Sequence, residues 1–366
     1  MIKHKICKIL LVILTIFLCV AFYELLGICV AYKKQPEVSN TTKKETKNGS
    51  WNECSENTER AVIIEKNPEA LLQRVRLIKN AKKEIILSTF AFQSDESGKL
   101  ILGALHDAAD RGVHIRLLVD GMESWIDMEG NPYFYGLSSH ENVEIKLYNK
   151  ANPLKPWKMM GRMHDKYLIA DGKTYILGGR NTYNYFLGDF PGHKNYDRDV
   201  LVVCDEPEKE NSVNQLSDYF ETIWNQEDSR YFHNNKKLAN RKSVKNAVLE
   251  LQNGYQKYFE ENKERICDTD YTDETFETEK IALVSNPIHT GPKEPVVWYQ
   301  LGELMKNAKE RVKIHTPYII CNDMMYNTWK EIAERVPDFS IMTNSVANNG
   351  NPFGSADYAR HRNRML

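Results

Sequence analysis

Arg162-Met-His-Asp-Lys-Tyr-Leu-Ile-Ala-Asp171, followed by Gly178-Gly-Arg-Asn181, is the stretch on which the reading of this chain turns. Residues 167–170 and 174–177 are short aliphatic, aromatic and β-branched runs. Asp171-Gly172-Lys173 between them can supply the positive φ of a tight turn, so the stretch predicts a β-hairpin. Side chains alternate along a strand, which puts His164 and Lys166 on one face. With Gly172 and Lys173 as a two-residue loop, the antiparallel register sets Asn181 opposite His164. An imidazole, an ammonium and an amide then converge on one spot.

A histidine and a lysine two residues apart are, taken alone, a common surface pair; the hairpin and the Gly-Gly-Arg-Asn run make the pattern specific. The three groups suit a phosphodiester. His164 can attack phosphorus as a nitrogen nucleophile, while Lys166 neutralises the nonbridging oxygens and Asn181 donates hydrogen bonds to them. This chemistry calls for no metal and no cofactor. A carboxylate is needed to orient the imidazole, and Asp197 and Asp199, just before the apolar strand 200–203, are candidates. Asp199 is preferred because it adjoins the strand. Asp171 is a further site candidate, although its place at the turn favours a structural role over proton transfer.

These residues resemble the His-x-Lys-x4-Asp signature of the phospholipase D superfamily. The longer pattern, with Gly178-Gly-Arg-Asn181 and Asp197-Arg-Asp-Val-Leu-Val202, is most similar to the bacterial cardiolipin synthase branch. The likeness extends over about residues 60–366 and includes Asp107-Ala-Ala-Asp-Arg-Gly-Val-His-Ile-Arg-Leu-Leu-Val-Asp-Gly121, Thr316-Pro-Tyr-Ile319 and Thr343-Asn-Ser-Val-Ala347. The resemblance implies that His164, Lys166 and Asn181 are active-site residues and that the fold is two similar α/β halves facing each other. It also implies phosphatidyl transfer through a phosphohistidine, with a phosphatidylglycerol-like phospholipid as substrate. Hydrolysis of lipid or nucleic-acid phosphodiesters, and a catalytically inactive membrane protein, are the alternatives.

An internal repeat supports the two halves. Ile78-Lys-Asn-Ala-Lys-Lys-Glu-Ile-Ile-Leu-Ser-Thr-Phe-Ala-Phe92 matches Met305-Lys-Asn-Ala-Lys-Glu-Arg-Val-Lys-Ile-His-Thr-Pro-Tyr-Ile319 at an offset of 227 residues. Each reads as a helix end running into an apolar strand. The same offset carries the motif histidine to about position 391, past Leu366, and no other His-x-Lys-x4-Asp occurs in the sequence. The second half is therefore expected to be incomplete and the chain truncated. The family pairs an attacking histidine with one that protonates the leaving alcohol, so a homodimer facing two motif hairpins could complete the site. His315 is the other histidine to consider, but it lies on the opening strand of the second half rather than on a motif hairpin.

The N-terminus carries a separate signal. Lys3, Lys5 and Lys8 precede the 24-residue run 9–32, broken only by Glu24 and long enough to cross about 30 Å of hydrocarbon. A single-pass membrane anchor is expected, with a cleaved signal peptide, apolar over 9–23, as the alternative. The positive-inside rule predicts a cytoplasmic N-terminus and an extracytoplasmic catalytic domain, a bias weakened by Lys33, Lys34, Lys43 and Lys44. With 49 basic against 50 acidic residues there is no strong basic footprint, so nucleic acid is not an expected partner.

The expected organisation is an anchor (1–34), a polar tether (35–59), a first half with the motif (60–225), a charged interdomain segment (226–290) and the start of a second half without its motif (291–366). Alternation of helix and strand from Asn67-Pro68 to Val119 gives the class α/β. Residues 121–156 read as a loop region bordering the cleft, in which Trp125, Tyr133 and Phe134 are expected to be packed. Residues 186–196, rich in glycine and proline, read as a loop that could gate the site. Seven cysteines show no metal spacing; Cys54 and Cys267 could pair in an oxidising compartment, and Cys204 and Cys321 read as buried thiols.

Overall fold

The computed structural model describes residues 2–49, 59–204, 206, 211–345, 347 and 352–364. It contains two compact units. The first comprises Met1–Lys34, Cys54–Leu283 and Ile288–Pro292, and the second Gln35–Glu53, Val284–Pro287 and Lys293–Leu366. Cys54, the expected partner of Cys267, lies outside the described residues, and Cys267 is exposed.

The chain opens with one continuous helix, α1 (Ile2–Ala31). Its stretch Lys5–Ala31 is long and apolar enough to cross a membrane. The polar segment that follows holds a short helix, α2 (Asn40–Asn48), where the sequence suggests only a tether. Ser39 caps its N-terminus by accepting from Thr42 N, and Gly49 ends it in the left-handed region at φ 75°. In the second unit this helix is tied down by Glu294, which accepts from Ser39 N and Thr42 Oγ1.

The first unit is built on a nine-stranded mixed sheet. In chain order its elements are β1 (Glu59–Ile64), α3 (Asn67–Asn80), β2 (Glu84–Thr89), α4 (Glu96–Asp110), β3 (His114–Asp120), α5 (Glu123–Met128), α6 (Pro132–Ser138), β4 (Val143–Tyr148), β5 (Tyr167–Ala170), β6 (Thr174–Gly178), β7 (Asp199–Cys204), α7 (Ser212–Trp224), β8 (Ser229–Tyr231), α8 (Lys242–Glu261), α9 (Lys263–Cys267) and β9 (Phe276–Glu277). The strand order is β8-β4-β3-β2-β5-β6-β7-β1-β9. Strands β2, β3 and β4 run parallel, as helical crossovers require, and the β5–β6 hairpin joins them antiparallel through β2.

Alternate residues of each strand feed two cores. Ile85, Leu87, Ile115, Leu117, Leu168 and Ile176 face a layer containing α3, α4, α6 and α8. Ile86, Leu118, Tyr167, Ile169 and Val202 face α7 through Leu216, Phe220 and Ile223. Within the segment placed between the halves by sequence, α8 packs on α4 with Leu251 and Tyr255 in the first unit's core. A Cβ at Gly103 of α4 would meet Leu251 O at 2.7 Å, so this close helix approach depends on the glycine. The expected loop 121–156 likewise contains α5, α6 and β4. Phe134 is fully buried there, whereas Trp125 is exposed.

The second unit contains α10 (Val296–Lys306), β10 (Arg311–His315), α11 (Asp323–Arg335), β11 (Asp338–Met342) and α12 (Pro352–His361). Strands β10 and β11 are parallel, with Arg311 paired to Asp338. Val312, Tyr326, Trp329, Ile332 and Val336 form the core between them and α11. The order helix, strand, helix, parallel strand is the same as α3-β2-α4-β3, and the 227-residue offset aligns Arg311 with Glu84. His315 ends β10 and is exposed.

Candidate phosphodiester site

The hairpin is present, with a register one residue away from the expected one. Ala170 pairs with Thr174 and Tyr167 with Leu177, leaving a three-residue loop. Asp171 and Gly172 both adopt positive φ, 54° and 62°. Carried outward, this register would put Arg180, not Asn181, across from His164. His164 and Lys166 lie in the extended segment before β5, and Asn181 lies beyond the end of β6.

What brings the three together is the chain leaving β2. Asn181 Oδ1 accepts from Ala91 N at 3.2 Å, and Thr182 N donates to Ala91 O at 3.1 Å. One residue earlier, the Phe90 ring lies against the His164 imidazole, centroids 4.5 Å apart. Lys166 Nζ is 5.2 Å and Arg162 Cζ 5.1 Å from the same ring centre. Phe90 thus forms a shared aromatic floor for a histidine and two cations.

Lys166 is buried, and its ammonium donates to His164 O at 2.7 Å. Burial lowers its pKa to about 8 against the opposing pull of Asp165, Asp197 and Asp120. His164 keeps an exposed edge, yet the protein around it desolvates the ring. That desolvation, with Lys166 next, lowers its pKa to about 4. At neutral pH the imidazole is uncharged, as a nitrogen nucleophile must be.

The approach to His164 is set by Asp120, a buried carboxylate at the end of β3. It accepts from Arg162 Nε at 3.0 Å and Nη2 at 2.6 Å, and from Met163 N at 3.0 Å. It also accepts from Met122 N and Glu123 N, which fixes the start of α5. Sequence reasoning assigned neither Asp120 nor Phe90 to the site. The available signal was that Asp120 and Phe90 end or follow adjacent parallel strands, where α/β sheets place their sites.

Asp199 does not orient His164. Its buried carboxylate is ion-paired with Arg74 Nη1 at 2.9 Å and Arg180 Nη1 at 3.2 Å. Arg180 also donates to Ile64 O, Glu65 O and Asn67 Oδ1, joining β6 to the β1–α3 connection. The physical reason is register: Asp199 pairs with Gly178 inside the sheet, and its side chain follows the pleat into the arginine layer. Asp197, the other sequence candidate, packs over Gly179 and is one of the charges acting on Lys166. Asp171 is a turn residue: its Oδ1 accepts from Lys83 N and Glu84 N, and its Oδ2 from Lys82 N.

Residues 74–224 match the family model described as cardiolipin synthase, PLD-like domain. The chain is 30% identical over 154 residues to cardiolipin synthase C of Escherichia coli, an alignment covering 38% of this chain and 31% of that protein. Residues 74–224 thus carry a phospholipase D-like domain similar to those of the cardiolipin synthase branch. An uncharacterized protein of Helicobacter pylori is 27% identical over 338 residues, covering 84% of this chain and 63% of its own length. The phospholipase D-like chain therefore spans less than two thirds of the length of either relative. Phosphatidylserine synthase of Haemophilus influenzae has the same kind of fold, with a TM-score of 0.54 at 16% identity over 88% of this chain and 72% of that one. Within this phospholipase D fold, His164, Lys166 and Asn181 of the signature are gathered at the exit of β2, while Asp171 and Asp199 brace the hairpin and sheet behind them.

Proposed function

We propose that this chain is a membrane-anchored phosphatidyltransferase of the cardiolipin synthase type, working through a phosphohistidine on His164. The observation that carries the reading is the His164 imidazole held against Phe90 beside Lys166, with Asn181 bonded to the next residue, Ala91. A ring nitrogen forms a bond to the phosphorus of a phosphatidylglycerol-like lipid, and the bond from phosphorus to the glycerol oxygen breaks. Lys166 and Asn181 carry the charge that builds on the nonbridging oxygens. The departing alkoxide takes a proton from a second imidazole, which a second copy of the chain facing the first could supply. That imidazole, now neutral, takes the proton of a second lipid's hydroxyl as its oxygen bonds to phosphorus and the phosphorus–nitrogen bond breaks, restoring His164.

The apolar run of α1, with Lys3, Lys5 and Lys8 in the helix's first turns, supports a single-pass anchor with a cytoplasmic N-terminus and the catalytic unit across the membrane. The domain plan is anchor, first phospholipase D-like half and the start of a second.

The test is to incubate membranes carrying the full chain with phosphate-labelled phosphatidylglycerol and quench in acid or in base. A label that survives base, is lost in acid, maps to His164 and is absent from His164→Ala is expected. Label on another residue, or an undiminished adduct in His164→Ala, overturns the assignment. Release of the label to water in place of a second lipid identifies a hydrolase.

A further inference from the structure

The loop 152–160 lies between α1 and the catalytic segment and exposes apolar side chains while its backbone is firmly held. Leu154 is 78% exposed, Trp157 44% and Met160 57%. Such residues are free to move in a slack loop, but this one is clamped. Asn149 Nδ2 donates to both Lys158 O at 2.7 Å and Gly161 O at 2.8 Å. Lys158 Nζ is ion-paired with Asp228 at 2.7 Å. A Cβ at Gly161 would fall 2.5 Å from Thr290 Cα, so the loop's end is pressed against a neighbouring segment. That segment is itself held by the Tyr32 hydroxyl, which donates to Thr290 O.

The loop also touches α1. Gly27 packs on Pro156, where a Cβ would come within 2.5 Å of the ring, and the Tyr23 hydroxyl donates to Leu154 O at 3.0 Å. Tyr23 to Ala31 is the last stretch of the apolar helix, about 12 Å at 1.5 Å per residue. The loop therefore meets the end of α1 opposite Lys3, Lys5 and Lys8. Lys33 and Lys34, just past the end of α1, and Lys155, in the loop, are exposed cations.

We infer that the loop 152–160 is a membrane-interface contact, in which Leu154, Trp157 and Met160 enter the bilayer's headgroup layer beside α1 and hold the His164 segment at the level of lipid phosphates. The inference rests on the anchor reading above and deepens it. Tryptophan favours that layer, and an apolar surface continuous with a spanning helix has lipid as its neighbour. His164 follows Met160 by four residues, at most about 14 Å of chain. The headgroup layer on one side is about 5–7 Å thick. The chain therefore keeps the nucleophile within about 14 Å of the contact.

A photo-crosslinking residue at Leu154 of the full chain, in native membranes, tests this. The expected product after illumination is a lipid adduct, detected by the mass increase of the 150–162 peptide, while the same residue at Leu249, exposed on α8, yields none. Carbonate extraction of the same membranes reads the anchor separately. A chain that resists extraction but crosslinks Leu154 to a second copy, to another protein or to nothing overturns the loop inference and leaves the anchor standing. A chain released by carbonate overturns both.

Discussion

Lys166 Nζ donates a hydrogen bond to the main-chain carbonyl of His164, the residue whose ring it accompanies. On the proposed function, a phosphate entering the site would compete with that carbonyl for the ammonium, and Lys166 would pass from a backbone oxygen to a charged one. Removing it with Lys166→Ala is expected to raise the barrier to adduct formation by about 2.7–4 kcal/mol, a loss of roughly two to three orders of magnitude in rate. Single-turnover labelling of His164 measures this; a loss under tenfold would assign the charge stabilisation to another group.

The pH profile follows from the two shifted groups. His164 titrates at about 4, so its nucleophilic neutral form persists well below the ordinary histidine range and is lost only as pH falls through about 4. Lys166 titrates at about 8, so its positive charge is present below that pH and is lost above it. Adduct formation is expected to be bell-shaped with limbs near these values. An acid limb near 6.5 would mean that His164 is solvated like a free imidazole.

Asp120 raises the pKa values of both His164 and Lys166 and holds Arg162 and Met163. It acts through its neighbours, so Asp120→Asn should move the alkaline limb to lower pH besides slowing the reaction. A slower rate with an unmoved limb would reduce its role to scaffolding.

Asp199→Asn tests the correction made by the structure. Arg74 and Arg180 would lose their buried counter-charge, which is expected to cost about 3–5 kcal/mol of stability. Thermal unfolding in detergent reads the loss. Where the variant remains folded, the acid limb of His164 should stay in place; a shift of that limb would restore Asp199 as the residue that orients the ring.

Asp171→Asn should act on stability alone. Asparagine tolerates the positive φ at this position and keeps one acceptor oxygen. The weakened bonds to Lys82 N, Lys83 N and Glu84 N should cost about 1–2 kcal/mol. The check is unfolding measured beside adduct yield, and a fall in yield without a fall in stability would place Asp171 in the chemistry.

The α/β class and the hairpin are legible in the sequence because both rest on local signals, apolar periodicity and an Asp-Gly turn. The site is legible only in part. His164 and Lys166 share a short segment, so their proximity follows from spacing. Asn181 joins them through a bond to Ala91, a contact across 90 residues that no local pattern carries. Asp199 misleads because Asp197-Arg-Asp199 offers two carboxylates two apart, and only the distant partners Arg74 and Arg180 show that Asp199 is taken up in buried ion pairs. The helix-forming composition of residues 243–265 is legible, but the packing of α8 is not: its stripe of Val244, Ala247, Leu251, Tyr255 and Phe259 lies among charged residues and reads as surface until the groove between α4 and α6 is seen.

Along the final part of α1, Ala21, Glu24, Gly27, Ile28 and Ala31 are the partly covered positions, spaced three and four apart, and they define one face. With Gly27 on Pro156 and Tyr23 tied to Leu154, the helix cannot spin independently of the catalytic unit. A leash would let an enzyme tumble above its substrates; this junction acts as an axle. On the anchored-transferase function proposed above, lipids arriving by lateral diffusion would meet the site in the plane and from a bearing determined by the helix, and Glu24 is on the partly covered face of that axle.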